Sequence, residues 1–183
     1  AAGWGPAIET GEGPSAAALG LVAPLGLDAT AAAGGLPAER VVAIDTLFPI
    51  ATGACQRRVL MTTPATKPEW RDAAHALFAA DGARVSVLRD SPGFIAQRVV
   101  AMIVSVATEI AQQRIASPAD IDTAVRIGLG YPRGPLTMGD MLGASTILEI
   151  LANMHRLPGD PRYRPGAWLR RRAQLGLSLL QDD

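Results

Sequence analysis

Few side chains in this chain of 183 residues have the type and spacing that bond-making chemistry needs. Its two histidines, His75 and His155, are far apart in sequence. His75 falls beside Trp70 and Phe78 on a helical stretch, with no carboxylate spaced to orient it as a base, and reads as a surface or boundary residue. His155, near a helix C-terminus, reads as a dipole-compatible cap. Cys55 is the single cysteine. Arg57 and Arg58 beside it would lower a thiol's pKa, but no histidine base is adjacent, so a free thiol is the simpler reading. One cysteine excludes an internal disulfide framework and a multi-cysteine metal site, and no ligand cluster accompanies the histidines, so no metal is expected. Asp120 and Asp122 could be paired carboxylates, but at a helix start the dipole explains them better. Gly11-Glu12-Gly13-Pro14-Ser15 lacks the spacing of a phosphate-cradling GxGxxG loop and follows no buried strand, so it reads as a turn. Arg170, Arg171 and Arg172, on consecutive helical positions, point around the helix and suit a solvated face or a subunit contact more than a phosphate site.

Composition narrows the classes further. Lys+Arg and Asp+Glu number 17 each, so there is no excess positive charge for nucleic acid or anionic lipid. An apolar fraction of 49% supports a real core and argues against disorder. The longest uncharged apolar stretch, Val99 to Thr108, is well short of the roughly 20 residues of a membrane span; it reads as a core helix. The first residues carry neither a basic n-region nor an apolar h-region, so the sequence is expected to be cytoplasmic. The chain begins at Ala1 without an initiator Met, and the expectation is a cut-out from a longer protein.

Two patterns meet near residue 90. Val41 to Ile44, Arg58 to Thr63 and Arg84 to Leu88 read as short strands. Between the last two, Thr66 and Glu69 form a capping box, and Trp70, Ala73, Ala74, Leu77 and Phe78 share one helical face, ended by Asp81-Gly82. Strand, helix, strand is the crossover of a parallel sheet. Ser15 to Leu25 reads as a weaker helix and Thr30 to Leu36 as loop, so residues 1–90 form a small α/β layer. Beyond, Ser91-Pro92 opens a helix from about Gly93 to Arg114. Its Phe94, Val99, Val100, Met102, Ile103, Val106 and Ile110 cover more than one face, so it is expected to be central and buried. A second helix opens at Ser117-Pro118, turns Ile121, Val125 and Leu129 inward, and closes at Gly128 or Gly130. A third runs from about Pro135 to His155 and a fourth from Pro165 to about Leu180. Residues 91–183 are therefore all-α.

One series of motifs is far more specific. Asp90-Ser91-Pro92-Gly93-Phe94-Ile95-Ala96-Gln97-Arg98 is followed by Ala116-Ser117-Pro118-Ala119-Asp120-Ile121-Asp122. Gly128-Leu129-Gly130-Tyr131-Pro132-Arg133-Gly134-Pro135-Leu136, Asp140 and Gly159-Asp160-Pro161-Arg162-Tyr163-Arg164-Pro165 come next. Over roughly residues 84–170 this series closely resembles the C-terminal helical domain of the 3-hydroxyacyl-CoA dehydrogenases. The fold it implies is α+β: a reduced Rossmann-like α/β remnant (1–90), then a helical domain of the 6-phosphogluconate-dehydrogenase C-terminal kind (91–183). Family members join an NAD-binding domain to this helical domain and oxidise the 3-hydroxyl of an acyl-CoA to a ketone. The helical domain closes the substrate cleft and builds the dimer interface. By that likeness Phe94, Gln97 and Arg98 sit at the cleft-facing start of the long helix, and Tyr131, Pro132, Gly134 and Pro135 in the loop bordering the pocket.

The resemblance fails where the chemistry should be. The family's His, in a His-Phe-Phe-Asn-Pro motif, is matched by Asp45 of Asp45-Thr46-Leu47-Phe48-Pro49. The Glu that orients that His is matched by Leu60. The Asn at the helix start is matched by Gln97. An aspartate with a pKa near 4 is a weak base for an alcohol, and leucine orients nothing. The glycine-rich NAD fingerprint and the family's Lys-Thr-Gly-x-Gly-Phe-Tyr ending are absent too. The expectation is a non-catalytic second helical copy of a long bacterial dehydrogenase. It would serve pseudo-dimerisation and cleft closure, with NAD and acyl-CoA handled by the parent and no cofactor here. Its partner would be the upstream dehydrogenase domain or a second copy of itself. The alternatives are a divergent acyl-CoA enzyme using Asp45 or Gln97, and a pure oligomerisation module.

Overall fold

The strand-forming runs of the first half meet in one sheet. In the computed structural model, which describes residues 18–50 and 56–182, the chain divides into two units between Phe94 and Ile95. In the first unit, β1 (Gly20–Val22), β2 (Val41–Ile44), β3 (Arg57–Thr62) and β4 (Arg84–Leu88) form a four-stranded sheet in the order β1-β2-β3-β4. The β3–β4 pair is parallel, as the crossover through α2 (Pro68–Ala79) requires. The sheet is nonetheless mixed, because β2 runs antiparallel to β3. All of β2 is buried. Val42, Ile44 and Leu60 pack one face against Ala74 and Phe78 of α2. Ala43 and Met61 pack the other against Ala29 and Phe94.

An ion pair with a buried cation closes the crossover. Arg58 on β3 is 1% exposed. Its Nη1 and Nη2 donate to the Asp81 carboxylate at 2.7 and 2.6 Å, and to the carbonyls of Phe78 and Ile50. The sequence placed Arg58 beside Cys55 as a possible thiol activator; its charge is instead spent on Asp81. Cys55 and the Gly11–Ser15 stretch lie outside the described residues.

Three local expectations are corrected. Among the described residues of the stretch 15–25, the expected helix gives way to β1, because Gly20, Leu21 and Val22 pair with Val41, Val42 and Ala43. Residues 30–36 are not all loop: α1 (Ala29–Ala32) starts at Asp28, whose side chain accepts from the Ala31 amide at 2.6 Å. The Thr66–Glu69 capping box does not form. Thr66 Oγ1 accepts from the Thr63 amide and donates to the Val41 carbonyl, tying β3's end to β2, so the N-cap is Lys67 with Pro68 in the first turn.

The second unit is five helices: α3 (Ile95–Gln112), α4 (Pro118–Leu129), α5 (Pro135–Leu142), α6 (Ala144–Arg156) and α7 (Ala167–Leu175). Helix α3 starts later than Ser91-Pro92 signalled, because Gly93 takes φ +70°, a left-handed conformation no helix carries through. The third helix is broken for the same reason: Gly143, at φ +93°, separates α5 from α6. Helix α7 ends at Gly176 and the following tail folds back, with Leu179 fully buried.

Helix α3 packs against α4, α5, α6 and α7. Its buried face is made of small residues, Ala101, Val104, Ser105, Ala107, Thr108 and Ala111. Gly139 on α5 keeps that approach close: a Cβ there would lie 2.5 Å from Leu179 Cδ1 and 2.9 Å from Val104 Cγ1. The large apolar residues point the other way, with Val99 52% and Val106 55% exposed. The expectation of a helix buried all round is thus corrected. Leu129, expected inside, is exposed too, while Ile121 on the same helix is buried.

Replacing Arg58 with Ala is expected to cost the α/β unit about 2–3 kcal/mol, since it removes a fully buried side chain and its hydrogen bonds to Asp81 and two carbonyls. The urea midpoint of that unit checks it.

Candidate functional site

Within the α/β unit, the residues matched to catalytic positions fall on the central strands. Asp45 follows β2, and its amide donates to the Val59 carbonyl at 3.0 Å. The β2–β3 register pairs Ile44 with Leu60, so the next pair is Asp45 with Val59. Directly opposed residues of an antiparallel pair share a face. Val59, and not Leu60, is therefore the side chain beside Asp45. Leu60 is fully buried on the other face against Ala74 and Phe78. Neither Val59 nor Leu60 can orient a base. Asp45 Oδ1 accepts from the Leu47 amide at 3.1 Å, an ordinary turn-forming contact. Phe94, expected in a cleft, is fully buried with Ala29, Ala43 and Met61 in this unit.

In the helical unit the remaining residues take distinct roles. Gln97 is fully buried in the first turns of α3. Arg98 Nη1 donates to Tyr163 Oη at 3.1 Å and its guanidinium lies 5.9 Å from that ring's centroid. It thereby fixes the 3-10 turn Pro161–Tyr163 on α3. Tyr131 and Pro135 line an apolar cavity of about 280 Å³ with Met102, Ile103, Val106 and Val125. Pro132 is exposed.

Gly134 and Pro135 belong to a built cap. Asp122, read from sequence as serving its own helix, accepts from the Leu136 and Thr137 amides of α5 at 2.7 and 3.0 Å and from Thr137 Oγ1. A Cβ on Gly134 would overlap the Asp122 carboxyl, so the glycine is what lets the carboxylate in. Asp120 remains where the sequence put it, with its amide donating to Ser117 Oγ, the N-cap of α4.

Sequence reasoning missed two such groups. Asp140 accepts from Ser178 Oγ and from the Leu179 amide at 2.8 Å, anchoring the tail. Arg172, read as part of a solvated run, is 3% exposed: it lies 3.1 Å over the Trp168 ring centroid and donates to the Gln181 carbonyl. Only its i+4 spacing from Trp168 signalled this. His75 is exposed, and His155 Nδ1 lies 3.0 Å from the Asp160 carbonyl oxygen. Arg162 beside Asp160 holds that carboxyl below its usual range. No group of three metal-ligating side chains occurs among the described residues.

A family model for the 3-hydroxyacyl-CoA dehydrogenase C-terminal domain matches residues 93–178. Residues 93–178 belong to that family. The 3-hydroxyadipyl-CoA dehydrogenase of Escherichia coli is 46% identical over 94 residues, covering 51% of this chain and 20% of that protein. A probable 3-hydroxybutyryl-CoA dehydrogenase of Deinococcus radiodurans is 36% identical over 88 residues, 48% of this chain and 32% of its own. The crystal structure of 3-hydroxybutyryl-CoA dehydrogenase from Escherichia coli matches with a TM-score of 0.73 at 35% identity. That match covers 85% of this chain, more than the helical unit alone, and 31% of the other. The chain thus spans a fifth to a third of these dehydrogenases. The expected α+β class, with a helical 3-hydroxyacyl-CoA dehydrogenase C-terminal domain, holds.

Removing the Asp122 carboxylate (Asp122→Ala) is expected to cost about 1–2 kcal/mol, as loss of a helix cap does. Chemical denaturation followed by helical circular dichroism reads it, and Asp120→Ala should cost less.

Proposed function

We propose that this chain is a non-catalytic helical portion of an NAD-dependent 3-hydroxyacyl-CoA dehydrogenase, one that pairs helical domains and closes the parent's acyl-CoA cleft. The observation that carries the reading is the Asp45–Val59 pair. Where the family resemblance puts a histidine base and a glutamate to orient it, this chain has Asp45 and Leu60, and the β2–β3 register sets Val59 beside Asp45. An ionised aspartate accepts an alcohol's proton poorly, and a valine has no polar atom with which to orient it.

A dinucleotide also fits the described α/β unit poorly. The helix after β1 is where a pyrophosphate would sit on free amides. In α1 those amides are already taken, Ala29's by Asp90 Oδ1 at 2.7 Å and Ala31's by Asp28 Oδ1 at 2.6 Å. Two carboxylates there repel a phosphate, so no step through NAD is assigned to these residues.

The pairing role rests on α3. Its outward Val99, Met102 and Val106, with the apolar groove running to Val125 on α4, make a contiguous apolar strip. About half of the Val99 and Val106 surface is still open for a partner to bury. Its partner is a second helical domain of the same kind, upstream in the parent or in another copy of this chain. The 20% coverage of the 3-hydroxyadipyl-CoA dehydrogenase supports a parent with room for such a copy.

The test is NADH oxidation with acetoacetyl-CoA by the purified chain and by Asp45→Ala. Both should match the buffer background. Turnover abolished by Asp45→Ala would make this chain an enzyme in its own right.

A further inference from the structure

The helical unit holds an open cavity of about 680 Å³ between the second half of α3 and the segment entering α7. That volume is within the range of small-molecule sites, about 300–1,000 Å³. Three of its polar groups have no partner among the described residues. Ser105, Glu109 and Gln112 follow one another at i, i+4 and i+7 on α3 and so share one wall. Gln112 Oε1 is buried without any hydrogen-bond donor. A buried acceptor left unmet is uncommon. The Glu109 carboxylate reaches in because Gly166, at the start of α7, has no side chain: a Cβ there would overlap Oε1. At the rim, Arg162 is neutralised by Asp160, whose Oδ2 accepts from its Nη2 at 2.6 Å. Arg164 has no such carboxylate among the described residues and lines the same cavity.

The wall therefore offers two acceptors, one of them charged, and the rim one free guanidinium. We propose that this cavity binds a small amino-carboxylate, its ammonium donating to Glu109 and Gln112 and its carboxylate accepting from Arg164. The ammonium supplies the donors that the Gln112 oxygen lacks, and the pair of opposite charges matches the lining. This site lies wholly within the helical unit, and Met102 and Val106 of the outward strip of α3 form part of its wall.

Titration of the full chain, followed by amide chemical shifts, tests it with glycine, β-alanine and γ-aminobutyrate. Propionate lacks the ammonium, and glycine betaine keeps the charge but has no N–H to donate. At least one amino-carboxylate should bind in the millimolar range, shifting amides of α3 and α7, with neither control binding. Glu109→Gln and Arg164→Gln should each weaken binding about tenfold, or 1.4 kcal/mol. Arg164 is exposed, so its variant reads the site even where the Glu109 variant fails to fold. The proposal is overturned if no amino-carboxylate binds, if betaine binds as well as glycine, or if Arg164→Gln binds like the parent sequence.

Discussion

The helical unit depends on how α3 is turned. Its small residues face inward, where Ala101, Ala107 and Ala111 allow close approach and Gly139 lets α5 press onto Val104. Four helices gather on that seam. Rotating α3 to bury Val99 and Val106 would drive bulk into a space sized for alanine, and overpacking costs about 1–3 kcal/mol per site. The same constraint leaves the large apolar side chains outside. The interior packing and the outward apolar strip are two consequences of one sequence pattern. Helix α3 is also long and apolar enough by composition to cross a membrane, a test that packed core helices pass as well.

Around that seam, carboxylates act as splints. Asp122 joins α4 to α5, Asp140 holds the returning tail, and Asp28 and Asp90 close the start of α1 in the other unit. Each meets backbone amides that a helix terminus or turn leaves unpaired, which is what a short acidic side chain does best. Much of the acidic content that a search for catalysts must consider is thereby accounted for. Asp45 sits in its own turn, and Arg58 is neutralised by Asp81. The chemistry-bearing residue types are present in this chain, but their partners are structural.

Much of this was legible in the sequence because it depends on short-range rules. The β3–α2–β4 crossover, the Ser117 cap and a glycine stop at Gly128 or Gly130, which the structure puts at Gly130, follow from periodicity and capping chemistry. The family motifs placed the helical domain. What escaped depends on contacts across the chain. The β1 strand exists because β2 is there to pair with it. The Asp122 cap needs residues 14 and 15 positions away. The register that sets Val59 beside Asp45 is fixed by ladder bonds that no spacing rule encodes. The inward turn of α3 escaped for a different reason: hydrophobicity alone ranks Val106 above Ala107 for burial, whereas packing size decides.

The central claim, that α3's outward face is built to meet a second helical domain, is tested most directly by sedimentation velocity across a concentration series. The chain and a Val99→Asp/Val106→Asp variant would be compared. Both changes are on exposed positions, so the fold should survive them. The account requires self-association of the parent chain that the variant loses at the same concentrations. A parent chain that sediments as a monomer throughout, or a variant that associates equally well, would contradict it.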